Sequence, residues 1–436
     1  MRVTTIFAVT LALLGCSPDA TTDARENTAE ERGLTAQVNP DAGPTAYVNG
    51  LWYTDSGNGI EFVAGERHAN NGVFVAERPA DATVIDLGGA FVVPPYGEAH
   101  NHSVDGPGTE TAAAKYLAEG VFYYKNPNGI YSYTAPMLEF WARPDTLDVS
   151  FSYGGLSIDE GHPEALYRML LGYGMYSGTD ADNLDGNAFH DVGTLEQLDE
   201  KWDFILSTEP DFLKLYLLEY DTDESDGLTE DVFREVVRRA HTYGLRTAVH
   251  LETAQDLALA VDAGATEAAH LPAYDLEIAE DEARSRIPDG VIEKMAKQGF
   301  IVVATTNVSQ GREYGAEDLK TVMDRQADNL GRMKAAGVPI AVGSDSFFQT
   351  AWNEIQSLKA LDLFSDEELL QLWVETPALS IFPGRAIGAL EVGYEASFLA
   401  LDCDPMTDIA CAIKIQQRVK SGQVLEVDGN EGAEGS

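Results

Sequence analysis

The chain predicts an α/β protein, a (β/α)8 TIM barrel that carries a small β-sandwich domain assembled from both ends of the sequence. Three observations predict it. Short apolar runs alternate with amphipathic segments through the middle of the chain, β-type runs set off by Gly, Asn and Asp occur towards both ends, and residues able to ligate a metal recur where the apolar runs stop. Alternation of this kind implies parallel strands joined by crossover helices. With 436 residues, 44 % of them hydrophobic, the chain can bury a large core. A barrel takes about 250 residues, which leaves room for a leader and a second domain.

The first sixteen residues read as a lipoprotein signal. Arg2 gives a minimal positive start, residues 6–14 form an apolar stretch too short to span a bilayer, and Leu13-Leu14-Gly15-Cys16 places a small residue before the cysteine. Cys16 is the expected lipidation site, and Ser17 after it favours an outer membrane, so the expected location is a periplasm-facing lipoprotein. A simple cleaved export signal is the alternative. Residues 17–44 are rich in Thr, Ala, Asp and Glu and poor in large apolar side chains, which predicts a flexible tether.

Residues 45–95 and 388–430 are assigned to the sandwich. Within them, residues 47–53, 73–75, 84–87 and 397–401 are short β-type runs separated by turn residues. Cys403 and Cys411 are an even pair that forms either a disulfide or two buried thiols.

Residues 96–387 are assigned to the barrel. Strand-like runs fall at 121–124, 149–153, 212–218, 247–250, 267–270, 300–305 and 340–342. Between them, residues 228–243 show Val232, Phe233, Val236, Val237 and Ala240 at three- and four-residue steps, with Gly244 placed to stop the helix. Residues 159–193 contain Gly, Asp, Asn and Tyr without a clear strand, and are either a lid over the site or a surface ornament.

Candidate ligands sit at the ends of these runs. Phe91-Val92-Val93-Pro94-Pro95-Tyr96-Gly97-Glu98-Ala99 stops at His100-Asn101-His102, and the two-residue strand period sends both imidazoles to one side, where they can share a cation. His250, His270 and Asp345 end three further runs. Neutral imidazoles with a carboxylate suit zinc or a similar ion and leave a position for water. Lys214 interrupts the apolar run Phe212-Leu213-Lys214-Leu215-Tyr216. A buried ammonium is costly, so this lysine is neutral, paired with an acid, or altered. A carbamate formed from carbon dioxide is an alteration that bridges two cations.

This set resembles the amidohydrolase superfamily, and within it the group of imidazolonepropionase and the prolidase-like enzymes. The resemblance covers most of the chain. It continues through Glu375-Thr376-Pro377-Ala378 and residues 387–402, which look like the family's return from the barrel into its small domain. It departs at Glu98, where the family usually has Asp. The resemblance implies His100 and His102 on the first barrel strand, carbamylated Lys214 on the fourth, His250 and His270 on the fifth and sixth, and Asp345 on the eighth. It implies two divalent ions, zinc above all, with Asp345 as both ligand and general base for a metal-activated water. The expected reaction is hydrolysis of a C–N bond in an amide, a dipeptide-like molecule or a cyclic amide. The alternatives are a mononuclear deaminase or C–O hydrolase on the same barrel, or a binding lipoprotein without catalysis.

Lys125, Asn126, Tyr153, His162 and Asn307 are candidate substrate contacts, since they follow strands or lie in the long loop, which also holds His190. His68 and His241 read as surface residues. The formal charge of −43 argues against nucleic acid and anionic membrane as partners. That leaves membrane contact to the lipid on Cys16 alone and the oligomeric state open.

Overall fold

A bulge in the first strand sets the shape of the small domain. In the computed structural model, which describes residues 29–30, 32–56, 59–105, 108–176, 179 and 181–426, β1 (Thr45–Asp55) pairs with β2 (Ile60–Asn70), and β2 with β3 (Val73–Val75), both antiparallel. β4 (Thr83–Asp86) runs parallel to the first half of β1, and β5 (Phe91–Val93) to its second half. The register slips between Tyr47 and Gly50, with Asn49 at φ 58°. An extra residue reverses the alternation of faces, so Tyr47 and Trp52, of opposite parity, are both fully buried.

β6 (Tyr96–Glu98), β7 (Val121–Asn126) and β8 (Asp148–Phe151) make a parallel three-stranded sheet. Two short strands, β9 (Gly155–Ser157) and β10 (Phe189–Asp191), precede β11 (Phe212–Tyr216), β12 (Arg246–His250), β13 (Glu267–Ala268), β14 (Ile301–Ala304) and β15 (Ile340–Val342). These seven form a second parallel sheet in the order β10-β9-β11-β12-β13-β14-β15. Backbone hydrogen bonds join the two sheets at both seams. Ala99 N donates to Val342 O at 2.8 Å and Asp345 N to His100 O at 2.7 Å on one side, and Asp211 N donates to Phe151 O at 2.9 Å on the other. β6 to β8 and β11 to β15 thus form a TIM-barrel-like arrangement, with their carboxyl ends on one face.

The helix Glu230–Tyr243 buries Val232, Phe233, Val236, Val237 and Ala240 against the strands, and Gly244 caps it at φ 70°. These are the positions that its spacing predicts. The segment 159–193, expected as an irregular loop, has elements of its own: the helix Glu164–Gly172 and β10. Its Tyr167, Leu170, Tyr176, Leu184 and Phe189 bury a separate apolar cluster with Ile130. Short elements around a private core leave little periodicity to read.

β16 (Phe398–Leu401), β17 (Ile415–Lys420) and β18 (Gln423–Leu425) return to the small domain through β16 against β5. One eight-stranded sheet stands where the two sheets of a sandwich were expected. It curls until Phe74 N of β3 donates to Tyr394 O at 2.8 Å. Phe398 then meets Tyr47, Trp52 and Phe74, with ring centroids 4.8, 5.5 and 6.4 Å away. A sheet that curls buries one face on itself and needs no second layer. Cys403 and Cys411 form a disulfide, which resolves that alternative.

The tether expected over residues 17–44 is ordered in its described part. Ala29 is buried, Thr35 bridges Arg385, and Asn39 bonds to Asn71 and Ser421. A polar composition removes side-chain burial but not backbone pairing with an existing edge. Cys16 and the leader lie outside the described residues. Among the described residues no helix is long and apolar enough to cross a membrane.

Candidate metal centre

His100 and His102 follow β6, and Asp345 follows β15, its neighbour across the seam. His100 Nδ1 is 2.9 Å from Ala269 O and His102 Nδ1 is 3.0 Å from Asn128 O. A backbone carbonyl on each Nδ1–H fixes the tautomer and leaves each Nε2 lone pair free. Those Nε2 atoms lie 3.4 and 3.2 Å from Asp345 Oδ1. Among the described residues, these three place their donor atoms within 4.8 Å of one another. Ligands each ~2 Å from one zinc-type ion stand roughly 3–4 Å apart, so the set fits a cation.

The seam brings them this close. Gly343 has no room for a side chain, because a Cβ there would meet Val303 Cγ1 at 2.7 Å, His100 N at 2.8 Å and His100 Cβ at 2.9 Å. Buried Glu98 reaches across the same seam and accepts from Ser344 N at 2.8 Å and Ser344 Oγ at 2.7 Å. Asp345 itself sits at φ 43°, a left-handed conformation that Asp tolerates better than most residues.

The other candidates adjoin this group. His270 Nδ1 is 3.5 Å from Asp345 Oδ2 and 3.0 Å from Thr305 Oγ1. The His250 ring is 4.6 Å from the His270 ring, and His162 lies against its other side at 4.6 Å. Lys214 is buried in β11 with its ammonium 5.3 Å from the Tyr216 ring centre. Among the described residues no acid pairs with it.

Burial sets the charge states. It pushes the Lys214 pKa down to about 7, only partly offset by Asp345 and Glu267. It holds His100 and His270 well below the imidazole range, and His162 at about 3. Burial alone would raise Asp345, but the facing imidazoles of His100, His270 and His102 outweigh it and hold the carboxyl well below its usual range.

Several expected substrate contacts have other partners. Lys125 pairs with Glu267 and reaches Ser380, so it is a buried ion pair inside the barrel rather than a substrate contact. Tyr153 stacks on Phe151, with centroids 5.5 Å apart, and meets Tyr131 edge-on, so it serves packing. Asn126 is buried, and its Oδ1 accepts from Asn128 N. Asn307 is held by Gln349 and Glu354. His190 is buried beside Phe204, away from the ligand set. His68 pairs with Glu66, and His241 bonds to Gly264 O at the surface.

The sequence reading missed Glu252 and Tyr274. Tyr274 Oη is 3.4 Å from His250 Nε2 and donates to Glu252 Oε1 at 2.7 Å. Glu252 lies past the end of β12, where no strand pattern in the sequence points to it. A cavity of about 720 Å³ elsewhere, at the amino end of β15 beside Tyr53, Lys334, Phe364 and Leu390, contains none of these groups.

Residues 188–425 match the family described as the amidohydrolase family. An imidazolonepropionase of Syntrophobacter fumaroxidans is 31 % identical over 177 residues, 39 % of this chain and 36 % of that protein, so the match spans about a third of that relative's length. The solved structure of a molinate hydrolase aligns with a TM-score of 0.68 at 16 % identity, covering 89 % of this chain and 96 % of that one. A prolidase complexed with N-methylphosphonate-L-proline aligns with a TM-score of 0.66 at 16 % identity, over 88 % and 100 % of the two chains. At such identities the likeness is one of fold.

Proposed function

The chain belongs to the amidohydrolase family, and from that premise we propose that it hydrolyses a C–N bond in a small amide, dipeptide-like or cyclic-amide substrate at the His100, His102 and Asp345 centre. The observation that carries this reading is the convergence of those three donor sets at the carboxyl ends of adjoining barrel strands. When bound there, a divalent ion of the zinc type supplies Lewis acidity, lowering the pKa of a water and polarising a carbonyl.

The chain's own residues do the rest. Ala269 O and Asn128 O hold the two imidazoles oriented, each with its Nε2 towards Asp345. Asp345, anionic because three histidines face it, accepts the proton of the attacking water at a carboxylate oxygen and passes it to the leaving nitrogen. His270, His250 and Lys214 would hold a second ion. Burial brings the Lys214 pKa down to about 7, so a substantial share of it is the neutral amine at physiological pH, which suits uptake of carbon dioxide as a carbamate with release of one proton. A mononuclear centre is the second reading, favoured by the grouping of only His100, His102 and Asp345 among the described residues. We also propose that Cys16 carries a lipid that holds the enzyme at a membrane facing the periplasm.

The test is a panel of N-acyl amino acids, dipeptides and cyclic ureides offered to zinc-loaded protein. At least one class is cleaved, and Asp345→Asn lowers kcat by about 10²–10⁴-fold with most of the metal retained. Near-normal kcat in that variant moves the proton transfer elsewhere, and cleavage of esters without amides supports a C–O hydrolase.

A further inference from the structure

Glu252 stands at the rim of the site, and the chemistry above does not use it. It follows His250 by two residues, just past the end of β12. Its Oε1 accepts from Tyr274 Oη at 2.7 Å and lies 4.0 Å from His250 Nε2. With 25 % of its side chain exposed, it reaches the cleft rather than the core. Among the described residues no lysine or arginine pairs with it. The arginine over the Tyr274 ring, Arg312, is taken by Asp275. Asp226 adds a second acid to this rim, its carbonyl accepting from His162 N at 3.0 Å.

Beside His102 the surroundings are aromatic. Phe347 lies 5.8 Å from His102, ring to ring, and packs with the cluster built by residues 159–193. The site is therefore anionic beside His250 and aromatic beside His102. A half-buried carboxylate anchored by a neutral phenol, with no lysine or arginine paired to it among the described residues, is a ready partner for a ligand cation. The chain's charge of −43 draws such a ligand in.

We propose that Glu252, held in place by Tyr274, selects substrates that carry an ammonium group beside the scissile amide, the class of amino-acid amides and unblocked dipeptides, with their apolar side chain towards Phe347. This rests on the hydrolytic reading given above. It makes Glu252 a specificity residue and Tyr274 a positioning residue.

Binding separates the two ideas. By calorimetry, the protein binds L-phenylalaninamide at least about tenfold more tightly than N-acetyl-L-phenylalaninamide, as a charge-assisted hydrogen bond allows. Glu252→Gln brings the two ligands within about twofold, and Tyr274→Phe narrows the gap in the same direction. Equal binding by the unaltered protein, or a preference that survives Glu252→Gln, overturns the proposal. So does a Glu252→Gln protein that loses zinc and weakens on both ligands by the same factor, since Glu252 then only orients His250. If the ammonium preference holds but no amide is cleaved, the hydrolytic reading fails and the recognition stands. If amides are cleaved regardless of the ammonium, the recognition fails and the hydrolysis stands.

Discussion

Lys214 is the residue on which the number of metal ions turns. Its folded pKa of about 7 lies below the 10.5 of a solvated lysine because it is buried. Between those values the unfolded chain holds the extra proton, so stability rises as pH climbs from about 7 to about 10.5. On the proposed binuclear reading, it is the neutral amine that takes up carbon dioxide. Protein equilibrated with carbon-13 bicarbonate at pH 8.5 is expected to show a carbamate resonance that fades towards pH 6 and is absent in Lys214→Ala. An unmodified amine in active, metal-loaded protein removes the bridge and leaves the mononuclear reading. The positions of Lys214, the four histidines and Asp345 in strands or near their ends were legible because each breaks or ends an apolar run. Lys125 was a candidate contact because it ends a strand, a position that does not reveal that its ammonium meets Glu267 on another strand. Glu252 and Tyr274 escaped because their meeting depends on how two loops fold over His250.

At the scale of elements, the contact between β6 and β15 makes the site. Both strands are three residues long, and their separation depends on Gly343, whose missing side chain leaves space for His100. Gly343→Ala is expected to cost about 1–3 kcal/mol, as overpacking does, measured by urea unfolding. It is also expected to lower zinc occupancy at fixed free metal, because His100 must move. Unchanged stability and occupancy would show that the seam does not position the ligands. The barrel strands and the helix Glu230–Tyr243 were readable from runs and spacing. The curl of the small sheet was not, because one bulge at Asn49 inverts the parity on which such a reading relies.

For the molecule as a whole, charge decides how the fold responds to solvent. Seventy-two acidic residues face only twenty-nine Lys and Arg, so most surface acids repel one another. Raising salt from 0.1 M to 1 M shortens the screening length from about 10 Å to about 3 Å, and the melting temperature is expected to climb with it. A flat or falling melting temperature would mean that the acids are already neutralised by neighbours.

The central claim is that His100, His102 and Asp345 hold a catalytic metal. Elemental analysis of purified, active protein tests it most directly, read beside the His100→Ala, His102→Ala double variant. The account predicts one to two zinc-type ions per chain, loss of at least one in the variant, and loss of amide hydrolysis with it. Active protein free of bound transition metal, or a double variant that keeps both its metal and its turnover, would contradict it.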